Sequence, residues 1–204
     1  MRMHRSPEKF RPSGSGGLAR GAAVVLALLA ALVLLPVVAH AGGEDQELRC
    51  LALTIYHEAR GESDLGKLAV GHVVMNRTHS RGFPASVCGV VQQGGETRHR
   101  CQFSWWCDGR SDRAKDAAAL RESLRVAESI YDGCSSDPTA GALWFHRISV
   151  RPAWARSMGP GKRIGRHLFY RGRPEHAFRI AAAMPSPGSC ARASPRPTAQ
   201  LAGG

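Results

Sequence analysis

Glu58 is the residue of this chain whose position most invites chemistry. It falls on the apolar face of a helical repeat that runs Leu48, Leu51, Ala52, Ile55 and Ala59. A carboxylate on such a face is costly unless it is paired or held protonated. Burial raises a carboxyl pKa, and a raised pKa is what a general acid needs near neutral pH. Cleavage of a glycosidic bond calls for such an acid, because the departing sugar oxygen must be protonated. The competing reading is structural: Glu58 pairs with Arg60, Arg77 or a histidine and joins two helices. Periodicity alone leaves both readings open.

The elements that must position Glu58 follow from the same periodicity. Gly61 ends the first helix, and Ser63 is placed to cap a second, whose expected buried face is Leu65, Leu68, Ala69, Val73 and Asn76. Phe83-Pro84 opens a loop, and Val87, Val90 and Val91 suggest a short third helix. Gly94 to Asp112 lacks a clean period and reads as an irregular loop held by packing and a disulfide. A longer helix is expected from Asp112 to Tyr131, with Ala117, Leu120, Leu124, Ala127 and Tyr131 on one face. Two β-like pieces, Ala142 to Phe145 and Leu168 to Arg171, flank a turn-rich stretch with Pro152 and Pro160. The fold class is therefore α+β, mostly helical with a small sheet or hairpin.

The ends of the chain read differently. Arg2, Arg5, Lys9, Arg11 and Arg20 precede an apolar run from Gly21 to Val38, and Ala39-His40-Ala41 follows. That order is the layout of a secretory signal, although the run is also about long enough for a membrane anchor. Residues 1–41 are assigned to this leader, 42–47 to a polar linker and 48–175 to the folded domain. Residues 185–204 are rich in Pro, Ser, Ala and Gly and are expected to be disordered. Export places the bulk of the chain in the periplasm or cell envelope. The six cysteines (Cys50, Cys88, Cys101, Cys107, Cys134 and Cys190) then read as disulfides, with about 15 pairings open. No C-x-x-C pair occurs, and Cys101 with Cys107 suits a small loop staple.

The wording of the sequence adds what its periodicity leaves undecided. Ile55-Tyr56-His57-Glu58-Ala59-Arg60-Gly61-Glu62 is followed in order by Val73-Val74-Met75-Asn76-Arg77, Phe83-Pro84 and Val87-Cys88-Gly89-Val90-Val91. Then come Gln102-Phe103-Ser104, Ala142-Leu143-Trp144-Phe145-His146, Pro152-Ala153-Trp154 and Ile164-Gly165-Arg166-His167-Leu168-Phe169-Tyr170. Together these blocks resemble the SleB-type cell-wall hydrolases, a family that includes the spore cortex-lytic enzymes. The resemblance covers Leu48 to Arg171. It implies a lysozyme-like catalytic domain acting on the glycan strands of peptidoglycan, with Glu58 as the acid of a lytic transglycosylase. On that model one carboxyl group suffices, because the second nucleophile is the muramic 6-hydroxyl of the substrate. Glu62 then reads as a helix N-terminal charge or a substrate contact. Phe103, Ser104, Trp144 and Trp154 are candidates for a saccharide groove, with Phe145 assigned to the core. His146 and His167 either bond substrate or cap strands. Cysteines within the matching core point to a periplasmic relative, and a role in germination is not carried over.

Two rival readings come from other classes. A zinc amidase would use the histidines, but His57-Glu58 begins H-E-x-x-H and the fifth position is Gly61. His57, His72, His146 and His167 would have to converge in three dimensions to hold the ion, and neither a metal nor a cofactor is expected. A non-catalytic wall-binding protein would use the charge and the aromatics without Glu58. The formal net charge is +12, and only five basic residues and one acid fall in the first twenty positions. Such a charge favours anionic polymers of the envelope or lipid headgroups. No nucleic-acid-binding signature accompanies it. Membrane contact is expected only through an uncleaved leader, and the oligomeric state is open.

Overall fold

The computed structural model describes residues 37–172 apart from positions 96, 98 and 99, with backbone alone for 37–42. Residues 1–42 and 43–204 form separate units. Most of the leader, the tail from 185 and Cys190 lie outside the described residues. No helix among the described residues is long and apolar enough to cross a membrane.

The first helix, α1 (Val37–Ala59), starts earlier than its apolar repeat suggests. Residues 42–47, expected as a linker, are helical turns of it. Glu47 explains why this turn is held: its carboxylate accepts from the backbone N–H groups of Val87 and Cys88. It thereby caps α3 (Val87–Gln92), and the Cys50–Cys88 disulfide joins the same two helices. Leu48, Leu51 and Ile55 are fully buried on the face the spacing predicts. Each such side chain contributes roughly 1.5–3 kcal/mol by leaving water.

Helix α2 (Asp64–Thr78) begins at Ser63, whose hydroxyl accepts from Gly66 N–H as a cap. Its buried stripe is rotated from the expected one. Ala69, Val70, Val73 and Val74 are inside, whereas Leu65 is 54% exposed. The cause is Gly71, which forms the close crossing: a Cβ there would sit 2.4 Å from Ile130 and 3.0 Å from Ile55. Centring the contact on Gly71 turns Leu65 to solvent.

Helix α4 (Ala117–Tyr131) starts five residues later than expected, because Asp116 is the cap. Its carboxylate accepts from the N–H groups of Ala118 and Ala119, an arrangement worth about 1 kcal/mol. The Tyr56 hydroxyl accepts from Lys115 and Asp116 N–H and ties this start to α1.

The sheet has three antiparallel strands in the order β1–β3–β2: β1 (Ala142–Arg147), β2 (Lys162–Ile164) and β3 (His167–Arg171). Phe145 lies opposite Phe169, and Ile164 opposite His167. The three-residue β2 is too short to show an alternation and escapes a reading by period. Gly165, at φ +56°, makes the tight β2–β3 turn that a side-chain-bearing residue resists. The core clusters where α1, α2 and α4 meet, and a second apolar group under the sheet joins Ala59, Val70, Val73 and Phe169. The result is α+β, as expected.

Candidate active site

Glu58 stands in the last turn of α1, half-buried in a cleft of about 290 Å³. The cleft is walled by the 101–104 stretch on one side and by β1 with the loop after it on another. It forms no hydrogen bond or ion pair with any described residue. The structural reading of Glu58 therefore fails on its named partners. Arg60 lies over the Tyr56 ring, 5.0 Å from its centre. Arg77 is held elsewhere, as described next. Burial pushes the Glu58 carboxyl above its ordinary range, and the charges of Arg147 and Arg77 pull it part of the way back.

Arg77 is the residue that sequence reasoning passed over as a site member. It is 2% exposed, and its Nε donates to the Leu143 carbonyl oxygen at 2.8 Å. Its guanidinium lies between the rings of Phe83 and Phe103, at 5.3 and 5.4 Å. Its Nη1 has no partner. Burial lowers its pKa to about 9 and the Glu58 charge raises it, so it stays cationic at neutral pH. The signal in the sequence was the block Val73-Val74-Met75-Asn76-Arg77, where an arginine closes an apolar run. Period counting treats such a residue as the polar edge.

The other expected site residues divide into two groups. Phe103, Ser104, His146 and His167 line the cleft with Glu58. Phe103 is 2% exposed and gives its ring face to Arg77, which leaves little of it for a ligand. Nδ1 of His146 donates to the Arg147 carbonyl oxygen at 2.8 Å, and its Nε2 accepts from the Tyr170 hydroxyl at 2.9 Å. With both nitrogens engaged, this imidazole offers a ligand its ring and little else. His167 is buried, and its Nδ1 lacks a hydrogen-bond partner. Burial lowers its pKa against the opposing pull of Glu62, which keeps it neutral.

Glu62, Trp144 and Trp154 are outside the cleft lining. Glu62 accepts from Arg166 Nε at 2.7 Å and from Arg166 N–H at 3.2 Å. Burial opposes ionisation, but these Arg166 bonds hold its carboxyl below the usual range. It is a clamp between the α1–α2 turn and the β2–β3 turn, where its Oε2 fills the space a Cβ on Gly165 would need. Trp144 is partly buried and packs edge-on against Phe83 at the edge of the core. Trp154 is 39% exposed and sits edge-on to His146 at 5.6 Å, just beyond the cleft rim.

The four histidines of the zinc reading do not converge. His57 donates from Nε2 to the Asp112 carbonyl oxygen and stacks on Trp105, while His72 Nε2 bonds Ser135 Oγ. Among the described residues no three His, Cys, Asp or Glu side chains are grouped to hold a metal. Cys101–Cys107 closes the loop that carries Phe103 and Ser104, the staple expected from its spacing.

Comparison with known proteins bears on the family of the chain. The chain is 32% identical over 130 residues to the spore cortex-lytic enzyme of Halalkalibacterium halodurans and 31% identical to that of Bacillus subtilis. Each match covers 63% of this chain but only 36% and 38% of those relatives' own lengths. The catalytic domain of the germination-specific lytic transglycosylase SleB from Bacillus anthracis is 28% identical. That match covers 61% of this chain and 93% of that one, with a TM-score of 0.48. The family model described as Cell Wall Hydrolase matches residues 61–170, a stretch that starts just after Glu58. It takes in helices α2, α3 and α4, the Cys101–Cys107 loop and all but the last residue of the sheet, more than half of the sequence, and the chain belongs to the cell wall hydrolase family.

Proposed function

We propose that this protein cleaves the glycan strands of peptidoglycan in the cell envelope as a lytic transglycosylase, with Glu58 as its acid and base. The observation that carries the reading is a lone carboxyl group with a raised pKa. Among the described residues, Glu58 is the one acid lining the cleft. A hydrolytic glycosidase ordinarily needs a second carboxylate, about 5 to 9.5 Å away, as nucleophile or base. The nearest candidate in sequence, Glu62, is consumed by Arg166. A substrate that brings its own nucleophile removes the need.

The steps follow from that arrangement. Protonated Glu58 gives its proton to the oxygen linking N-acetylmuramic acid to N-acetylglucosamine, and the bond from that oxygen to the muramic anomeric carbon breaks. The charges of Arg77 and Arg147 stabilise the carboxylate that remains. The carboxylate then takes the proton of the muramic 6-hydroxyl as that oxygen bonds to the anomeric carbon. The product is a 1,6-anhydro sugar, and Glu58 is again protonated. On this reading Ser104, exposed in the cleft, contacts the sugar, and the exposed face of Trp154 at the rim is available to a neighbouring ring.

The test is to incubate the full chain with peptidoglycan sacculi and identify the soluble products by mass spectrometry. Anhydro-muropeptides are expected. Reducing ends mean hydrolysis, and released peptides mean an amidase. Glu58→Gln is expected to lower the rate by 10²-fold or more, in the range for loss of a general acid–base. Full activity in that variant would remove Glu58 from the mechanism.

A further inference from the structure

The stretch Ala142 to Arg171 carries seven Lys and Arg residues and no Asp or Glu. Arg166 is matched by Glu62, but Arg147, Arg151, Arg156, Lys162 and Arg163 are exposed and form no ion pair with described residues. Lys162 and Arg163 bond only the carbonyl oxygens of Pro138 and Gly165, which leaves their charges uncompensated. Among these cations stand exposed apolar side chains: Ile148 at 40%, Val150 at 51% and Trp154 at 39%. The stretch meets the cleft at its start: Arg147 and Val150 line it, and Trp154 abuts His146, which lines it too.

An acid-free basic wall beside a site concentrates anions there. Its interleaved apolar side chains suit a partner that carries small hydrophobic groups as well as charge. We propose that this wall binds the acidic stem peptides of peptidoglycan, so that strands still bearing peptides are bound and cut in preference to bare glycan. The proposal rests on reading the cleft as a glycan-cutting site. A stem peptide hangs from the lactyl group of a muramic residue and offers free carboxylates between short apolar side chains. With the cleft holding the glycan, the peptide emerges beside the scissile bond, where the wall begins. A flat anionic bilayer also supplies charge. The wall adjoins the cleft, however, and a strand threaded there brings its stem peptides directly onto Arg147 and Val150.

The experiment compares two substrates for the full chain: sacculi, and the same glycan stripped of stem peptides by an amidase. An exposed charge pair contributes about a factor of two, so three pairs give about eightfold. The wild-type chain is expected to cut peptide-bearing strands about eightfold faster than stripped ones. The ratio should fall toward one in about 0.5 M NaCl, where the Debye length is only a few ångströms. The triple variant Arg151→Gln, Arg156→Gln, Arg163→Gln should bring the ratio near one at low salt. A wild-type ratio of one, or a ratio unchanged in the triple variant, overturns the proposal. So does a variant that loses binding to phosphatidylglycerol vesicles while keeping the ratio, since the wall then serves a lipid surface. If the wild-type chain cuts neither substrate, the activity reading has failed, and co-sedimentation still decides the wall. Retention on peptide-bearing strands that exceeds retention on stripped ones, and is lost in the triple variant, supports it; equal retention overturns it.

Discussion

Replacing Arg77 tests the electrostatics of the cleft where the geometry is most specific. Arg77 forms no ion pair with a described residue, yet its charge acts on Glu58 and lowers that carboxyl's pKa against the effect of burial. In an effective dielectric of about 20, unit charges about 4 Å apart interact by about 4 kcal/mol, and more distant ones by less. An interaction well below that size is still enough to move a titration, so removing the charge shifts that of Glu58. The sign is upward, since a cation favours the carboxylate. Arg77→Met should therefore move the alkaline limb of the kcat/KM profile to higher pH. It should also lower kcat at the optimum by about tenfold, because the carboxylate left after proton donation has lost a stabilising charge. Arg77→Lys keeps the charge and should hold the limb close to its wild-type position. Met retains contact with Phe83 and Phe103, and losing the Nε bond to Leu143 costs about 1.5–3 kcal/mol, partly offset by removal of a buried unpaired cation. Melting curves and circular dichroism establish that the variant is folded. An alkaline limb that stays in place in folded Arg77→Met refutes the reasoning.

Three further outcomes follow from the same structure. A raised Glu58 pKa means that wild-type stability is fully present below the unfolded carboxyl value and is lost as pH rises through the folded one. Glu58→Gln should accordingly melt higher than wild type at pH 8 and with no advantage below about pH 4; a constant difference at both would contradict this. The Glu62 carboxyl has the opposite shift, so Glu62→Gln should lose about 1–2 kcal/mol at pH 7, and this loss should fade as pH falls through the folded Glu62 pKa. Its kcat should stay within about threefold of wild type once folded, and a loss matching that of Glu58→Gln would place Glu62 in catalysis. The Cys50–Cys88 bridge closes a separation of 38 residues, and replacing both cysteines by serine should cost about 4 kcal/mol in denaturant unfolding.

How much of this was legible in the sequence depended on whether the signal was local. Helix faces set by apolar spacing were readable, as Leu51 and Ile55 beneath Glu58 show. So was the Ser63 cap, because capping is a contact between near neighbours in sequence. Leu65 was misplaced because the rotation of α2 is set by Gly71 meeting Ile55 and Ile130, and Ile130 is 59 positions away. The 42–47 turn was misread as linker because its stabilising partner is the start of α3, forty residues on. Glu62 and Trp144 are assigned by what they touch, Arg166 and Phe83, and no local pattern encodes those contacts. Arg77 was hidden for a further reason: its role is visible only as something missing, a buried donor without an acceptor.

That missing acceptor bears on why the cleft reads as a working site rather than an incidental gap. Buried donors and acceptors in folded proteins are nearly always paired, and breaches of that rule need a cause. Two such breaches among the described residues fall here: Arg77 Nη1 and His167 Nδ1 are both buried without a hydrogen-bond partner, and both residues line the cleft with Glu58, whereas others, at Gln93 and Trp105, lie outside it. Glu58 itself is an acid on an inward face without an ion pair. A fold selected only for stability would pair Glu58 with Arg77, and the two are close enough for each to shift the other's pKa. Pairing them would depress the Glu58 carboxyl and deprive it of the proton it has to donate. Leaving Arg77 tethered to Leu143, near Glu58 but not bonded to it, lets burial hold the Glu58 carboxyl above its ordinary range and places a cation where negative charge develops. The cost in stability and the chemical use of Glu58 are thus two consequences of the same geometry.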